Sequence, residues 1–233
     1  MTRHFWGIAA LAACVGLLSV PTARSFADDS AKTTAEKSAA DAGWVPLFDG
    51  KTLAGWTGST EGYKVEDGAI VCIPEKGGNL YTDKDYADFD LKFEFMLTPG
   101  ANNGLGLRAP TSGDSAYQGM ELQVLDDGAD VYKNLKPYQY HGSVYGVVAA
   151  KRGHLKPTGE WNTQEVSLHG RHIKVTLNGT VIVDADLDEA SKNGTIDGNK
   201  HPGLARTTGR IGFLGHGHKV AFRNILIKDA SAK

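Results

Sequence analysis

Hydrophobic and polar residues alternate along much of this chain, most regularly in Phe89-Asp90-Leu91-Lys92-Phe93-Glu94-Phe95-Met96-Leu97. A period of two places the large apolar side chains on one face of an extended strand. This stretch therefore predicts a half-buried strand with Asp90, Lys92 and Glu94 turned away from the core. Shorter runs over 104–108, 120–125, 144–149, 164–169, 172–178, 180–185, 210–214 and 220–228 predict further strands. His169-Gly170 and Asn178-Gly179 punctuate them as hairpin turns. No segment carries a convincing amphipathic helical pattern, and Leu187 to Lys192 predicts one short turn. About a dozen strands in one domain predict an all-β fold, a two-sheet jelly-roll sandwich. The 29 glycines in 233 residues suit such a turn-rich chain better than a helical one.

The first residues break this pattern. Arg3 and His4 precede an apolar run from Phe5 to Val20, and Ser25-Phe26-Ala27 offers a small-x-small cleavage site before Asp28. Residues 1–27 read as an export signal, because sixteen apolar positions interrupted by two glycines fall short of the roughly twenty that span a bilayer. The protein is thus expected to be exported, periplasmic or extracellular, with no membrane span. Leu11-Ala12-Ala13-Cys14 resembles a lipoprotein acylation box. The chain stays apolar from Val15 to Val20, where an acylated start would turn polar, so anchoring through Cys14 is the weaker reading. Residues 28–42 are small and polar, as in a disordered linker, and residues 43–230 hold the domain.

Without the leader, Cys72 is the only cysteine and no internal disulfide can form. It sits in the apolar run Ala69-Ile70-Val71-Cys72-Ile73, which predicts a buried, inert thiol. Loss of Arg3 and Arg24 with the leader moves the formal charge from −2 to −4. A mildly acidic chain with no basic stripe offers nothing to nucleic acid. The sequence leaves the oligomeric state open.

Strand phase also locates candidate chemistry. In 104–108, Leu105 and Leu107 point inward, and Gly104, Gly106 and Arg108 face away; in 120–125, Met120, Leu122 and Val124 point inward and leave Glu121 and Gln123 outside. If the strands are neighbours, Glu94, Arg108, Glu121 and Gln123 converge on one sheet face, with two glycines leaving room for a ligand. A solvated outer face with an incidental Glu–Arg pair is the alternative. His141 lies in Tyr140-His141-Gly142, and His216 is freed by glycines on both sides. His216 and His218, two residues apart, are weak candidates for a metal pair. His169 and His172 are expected at the surface. Tyr117, Tyr138, Tyr140 and Tyr145 are candidates for stacking on a sugar ring. Trp44, Trp56 and Trp161 are expected to anchor the core.

Beyond periodicity, an ordered set of short motifs runs through the chain: Leu47-Phe48-Asp49-Gly50-Lys51-Thr52-Leu53-Ala54-Gly55-Trp56, Asn102-Asn103-Gly104, Tyr117-Gln118-Gly119-Met120-Glu121-Leu122-Gln123, Gly159-Glu160-Trp161-Asn162, Leu177-Asn178-Gly179, His216-Gly217 and Val220-Ala221-Phe222-Arg223-Asn224-Ile225. Taken together they resemble the bacterial 3-keto-disaccharide hydrolase family. The resemblance implies a concanavalin-like sandwich and a carbohydrate substrate already oxidised at C3. A ketone there acidifies the C2 hydrogen. Its abstraction, followed by loss of the C1 substituent, would cleave the glycoside. Under that chemistry Glu121 or His216 is the base, and Arg108 or a divalent metal ion stabilises the developing charge on O3. Substrate contacts are expected from Glu94, Asn103, Gln123, His141 and Tyr145, with Asn103, Arg108 and Glu121 at polar positions of the family pattern. An ordinary glycosidase would instead use Glu94 and Glu121 as its two carboxyl groups. A non-catalytic carbohydrate-binding module and a cell-envelope interaction domain are the other readings of such a sandwich.

Overall fold

The computed structural model describes residues 43–230. The expected leader (1–27), Cys14 and the linker (28–42) lie outside the described residues. In chain order the strands are β1 (Val45–Pro46), β2 (Trp56–Gly58), β3 (Tyr63–Glu66), β4 (Ala69–Cys72), β5 (Gly78–Thr82), β6 (Phe89–Leu97), β7 (Asn102–Ala109), β8 (Met120–Leu125), β9 (Trp161–His169), β10 (His172–Leu177), β11 (Thr180–Asp186), β12 (Arg210–Gly215) and β13 (Val220–Asp229). Two short helices, α1 (Ser115–Gln118) and α2 (Leu187–Ser191), interrupt them.

The strands make two antiparallel sheets. The larger has the order β11-β10-β9-β6-β13-β4-β3, with β1 also paired to β13, and the smaller has the order β2-β5-β12-β7-β8. The fold is the expected all-β, concanavalin-like sandwich. In β6 the alternation is realised residue by residue, with Phe89, Leu91, Phe93, Phe95 and Leu97 buried between the sheets. Aromatic contacts cross that space. Phe213 of the smaller sheet stacks on Phe222 of the larger at 3.7 Å between centroids, and Trp56 lies 5.4 Å from Phe213. Such pairs add about 0.5–1.5 kcal/mol each beyond area burial, so this stack ties one sheet to the other.

Local turn chemistry follows the sequence where the chain reverses tightly. Asn178 and Gly179 both have positive φ, 49° and 83°, as a two-residue hairpin between β10 and β11 requires. The Asn178 amide is also tied in, accepting from Thr163 N and donating to Asn162 Oδ1. The run 144–149 is not a strand. It contributes bridges from Val144 to Leu122 and Val148, then turns back at Gly146, whose φ is +73°.

Two of the expected core tryptophans lie outside. Trp44 and Trp161 are half-buried beneath Lys92 Nζ and the Arg223 guanidinium, at 4.3 and 3.9 Å from the ring centroids, whereas Trp56 is buried. Cys72 is a free, buried thiol. Among the described residues no helix is long and apolar enough to cross a membrane.

Candidate active site

The face of the smaller sheet turned away from the core gathers the polar residues of interest. On β8, Glu121 and Gln123 point to this face while Met120, Leu122 and Val124 fill the core. On β7, Gly104 pairs with Gln123 and Gly106 with Glu121, so the neighbouring strand presents no side chain beside them. The space over Gly104 is taken by the Glu121 side chain: a Cβ there would lie 2.9 Å from Glu121 Cγ and 2.7 Å from Cδ. Gly104 is therefore the seat of this carboxylate. Beyond β8, the bridged segment continues the face, with Tyr145 N donating to Glu121 O at 2.9 Å.

His216 follows β12 and reaches the same place, its Nε2 standing 3.5 Å from Glu121 Oε1. At that distance the pair is an electrostatic contact rather than a full hydrogen bond, and buried Oε1 has no hydrogen-bond donor. The Glu121 carboxylate raises the pKa of the His216 imidazole above its ordinary value; partial burial opposes this, and the charge of Asp114 adds to it. Asp114 caps α1, accepting from Ala116 N. Ser115 in turn shares a 2.6 Å hydrogen bond with the buried Tyr81 hydroxyl, which anchors α1 over the sheet. Asn102 Oδ1 and Gln123 Oε1 are further buried acceptors with no donor. The arrangement holds a proton acceptor next to a protonatable imidazole above a glycine floor.

Strand phase and sheet membership separate the other expected site residues from this face. Arg108 is withdrawn from it. Between Gly106 and Ala109 two residues oppose the single Ile211 of β12, and at this bulge Arg108 takes a φ of 45°. Its side chain leaves the expected face and is 2% exposed. The guanidinium donates to Ala87 O, Gly170 O and Arg206 O and pairs with Asp88 at 3.1 Å. Glu94 belongs to the other sheet, where Arg223 Nε and Asn224 Nδ2 donate to it at 2.7 and 3.1 Å. The glycosidase pairing of Glu94 with Glu121 is thereby split between sheets.

Asn103 shares the phase of Leu105 and Leu107, so it is buried in the interior, where its Oδ1 accepts from Gly104 N. His141 is also a core residue. It stacks on Phe95 at 5.0 Å, its Nδ1 accepts from Leu125 N, and its Nε2 donates to Gln164 Oε1 at 3.0 Å. Burial lowers its pKa to about 4, so the ring is neutral. His218 donates from Nδ1 to the backbone oxygen of His216 and does not join it in facing Glu121. Among the described residues, no three His, Cys, Asp or Glu side chains gather as a metal-binding group. His169 and His172 sit at the surface, paired with Asp90 and Asp184. Of the expected residues, the structure brings together Glu121, Gln123, His216 and Tyr145.

The order of motifs along the chain agrees with one family. A family model described as a 3-keto-alpha-glucoside-1,2-lyase-like domain matches residues 43–228. The chain belongs to this family. A curated relative, named 3-keto-disaccharide hydrolase, from Bacteroides thetaiotaomicron is 27% identical over 80% of this chain and 78% of its own length. A crystal structure named as a candidate glycosyl hydrolase from Parabacteroides distasonis superposes with a TM-score of 0.72 at 27% identity, covering 83% of this chain and 96% of the other. The lumenal domain of VIP36, in a form bound to Ca2+ and Man3GlcNAc, shares the sandwich at a TM-score of 0.50 and 9% identity, with 82% and 90% covered. At that identity the likeness is one of fold alone.

In this 3-keto-glucoside lyase-like domain, one pair of residues near the face escaped the sequence reading. His201 Nε2 lies 3.0 Å from Asp197 Oδ2, with side chains only 1% and 2% exposed. Burial by itself would raise the Asp197 pKa, but hydrogen bonds from Asn199, His201 and Thr195 outweigh it and hold the group at about 2. The available signal was Asp197-Gly198-Asn199 four residues ahead of His201: an Asx turn folds that spacing back on itself.

Proposed function

We propose that this protein cleaves 3-keto-glycosides by removing the C2 proton and expelling the C1 substituent, with Glu121 and His216 carrying the protons. The observation that carries this reading is the Glu121–His216 pair at 3.5 Å, with the carboxylate seated over Gly104. The sugar ring approaches from the exposed His216 side of the pair, with C2 toward Glu121. Glu121 accepts the C2 proton as negative charge builds on O3, and imidazolium at His216 supplies the positive charge that Arg108, buried elsewhere, does not. Once Glu121 is protonated it no longer holds the His216 pKa up, so His216 more readily gives its proton to the leaving oxygen as the C1–O bond breaks. Water then adds across C1 and C2. Its hydroxyl goes to C1, its proton to His216, and Glu121 returns a proton to C2. Charges and protons are restored after one turnover. The elimination half corresponds to the 1,2-lyase of the family description, and both halves to the hydrolase named for the Bacteroides relative.

The test is direct. The purified domain is incubated with 3-keto-trehalose, 3-keto-lactose and their unoxidised parents, with and without chelator. Cleavage confined to the oxidised sugars supports the proposal; cleavage of the parents would place the protein among ordinary glycosidases, and binding without consumption would make it a carbohydrate-binding module. Export is part of the same reading and is supported by the leader-like residues 1–27. Mature protein from the cell envelope should begin at Asp28, and an intact Met1 start would oppose export.

A further inference from the structure

Glu121 and His216 account for bond cleavage but leave without a role a buried Asp–His side-chain pair held in an otherwise exposed loop. Asp197 accepts from Thr195 Oγ1, Asn199 N, Asn199 Nδ2 and His201 Nε2 at 2.9 to 3.1 Å. This loop is pinned to the segment bordering Glu121. Asp197 N donates to Gly146 O at 3.2 Å, and a Cβ at Gly146 would come 2.6 Å from His201 Nε2. Gly146 directly follows Tyr145, whose N–H is bonded to the Glu121 backbone.

On its other side the His201 ring lies 4.6 Å from Tyr117, and Tyr117 meets Tyr145 edge-on at 6.4 Å. Asn199 and His201 also line a depression of about 670 Å3 together with Thr195 and Lys200, a volume within the usual range for small-molecule sites. From the segment bonded to Glu121, the Tyr145, Tyr117 and His201 rings thus run in succession to the edge of this depression. Flat aromatic faces beside amide and hydroxyl groups suit a pyranose.

We infer that the Tyr117 wall, clamped by the buried His201–Asp197 pair, holds the leaving sugar of a disaccharide, which makes Asp197 and His201 positioning residues and Tyr117 a specificity-determining one. The inference rests on the proposed cleavage of 3-keto-glycosides and assigns the subsite for the C1 substituent. Methyl 3-keto-glucoside, which has no second ring, does not use this wall.

KM and kcat are compared for 3-keto-trehalose and methyl 3-keto-glucoside in the wild type, Tyr117→Ala, Tyr117→Phe and Asp197→Asn. Tyr117→Ala and Asp197→Asn should raise KM for the disaccharide by about tenfold and leave the methyl glycoside unchanged, and Tyr117→Phe should retain wild-type behaviour on both. Equal losses on the two substrates, or none on either, would overturn the assignment. Tyr117 is half-buried, so its pair of variants decides the matter even if Asp197→Asn does not fold. If the wild type turns over neither keto sugar, the cleavage reading fails by itself. Calorimetric binding of unoxidised trehalose against methyl glucoside then tests the wall: a trehalose preference that disappears in Tyr117→Ala sustains it, and no preference, or one unchanged in the variant, refutes it.

Discussion

Replacing Gly104 with alanine isolates the placement of Glu121 from its chemistry. Gly104 lies in the middle of β7 without a positive φ, so alanine fits the backbone there. The new methyl group would lie 2.7 Å from Glu121 Cδ and 2.9 Å from Cγ, and real Cβ atoms essentially never come within 3.0 Å of such neighbours. Restoring ordinary carbon–carbon separation moves the carboxylate by about 1 Å. That shift pulls Glu121 away from His216, 3.5 Å distant in the wild type. A misplacement of this size costs about a hundredfold in rate. The stability change stays within about 1 kcal/mol, because alanine suits a strand and the His216 side of the ion pair is open to solvent. The assay is steady-state kcat on 3-keto-trehalose beside a thermal melt. Gly106→Ala is the control: its methyl would meet Leu214 Cδ2 at 3.3 Å and Ala109 Cβ at 3.4 Å, away from the Glu121 carboxylate. Unchanged kcat in folded Gly104→Ala, or an equal loss in Gly106→Ala, would refute the placement of Glu121 as the reacting base.

Arg108→Ala should lower unfolding stability by about 3–5 kcal/mol in urea denaturation, because Asp88 and three backbone carbonyls lose a buried cation; Arg108→Lys should recover only part, and a stable Arg108→Ala with abolished turnover would contradict a structural role. In Glu121→Gln the His216 titration followed by NMR should move to lower pH, since the carboxylate is what raises it. The raised value means His216 supports folding fully below about pH 6.5 and less as pH climbs through its folded pKa; an unmoved titration would deny the coupling. His141 has the opposite sign. Its pKa of about 4 lies below that of an unfolded histidine, so stability is complete above about pH 6.5 and falls by about 3 kcal/mol as pH drops toward 4. Denaturant midpoints at pH 7 and 4.5 check this, and equal midpoints would exclude a neutral buried ring.

What could be read from the chain depended on how local the determining interactions are. The β6 alternation and the Asn178-Gly179 reversal are fixed within a few residues, and both appear as expected. Glu121 and Gln123 fall on the face turned away from the core for the same reason, since phase within one strand is a local property. Arg108 escaped because the bulge that turns it inward is set by the register of β12 against β7, which alternation in 104–108 does not contain. Glu94 escaped because phase gives a face but not a sheet, and β6 joins β9 and β13 rather than β7. His141 carried no sequence mark of burial, and only the packing of Phe95 and Gln164 around it makes the ring neutral. The meeting of His216 with Glu121 joins residues 95 positions apart in sequence; strand phase and flanking glycines marked each of them singly, but neither signal carries their proximity.

Proton abstraction from C2 by Glu121 is tested most directly with 3-keto-trehalose carrying deuterium at C2. The account predicts a primary isotope effect on cleavage by the wild type and loss of cleavage in Glu121→Gln that still folds and still binds the sugar. Cleavage at the same rate for both isotopic forms, together with full turnover by Glu121→Gln, would contradict it.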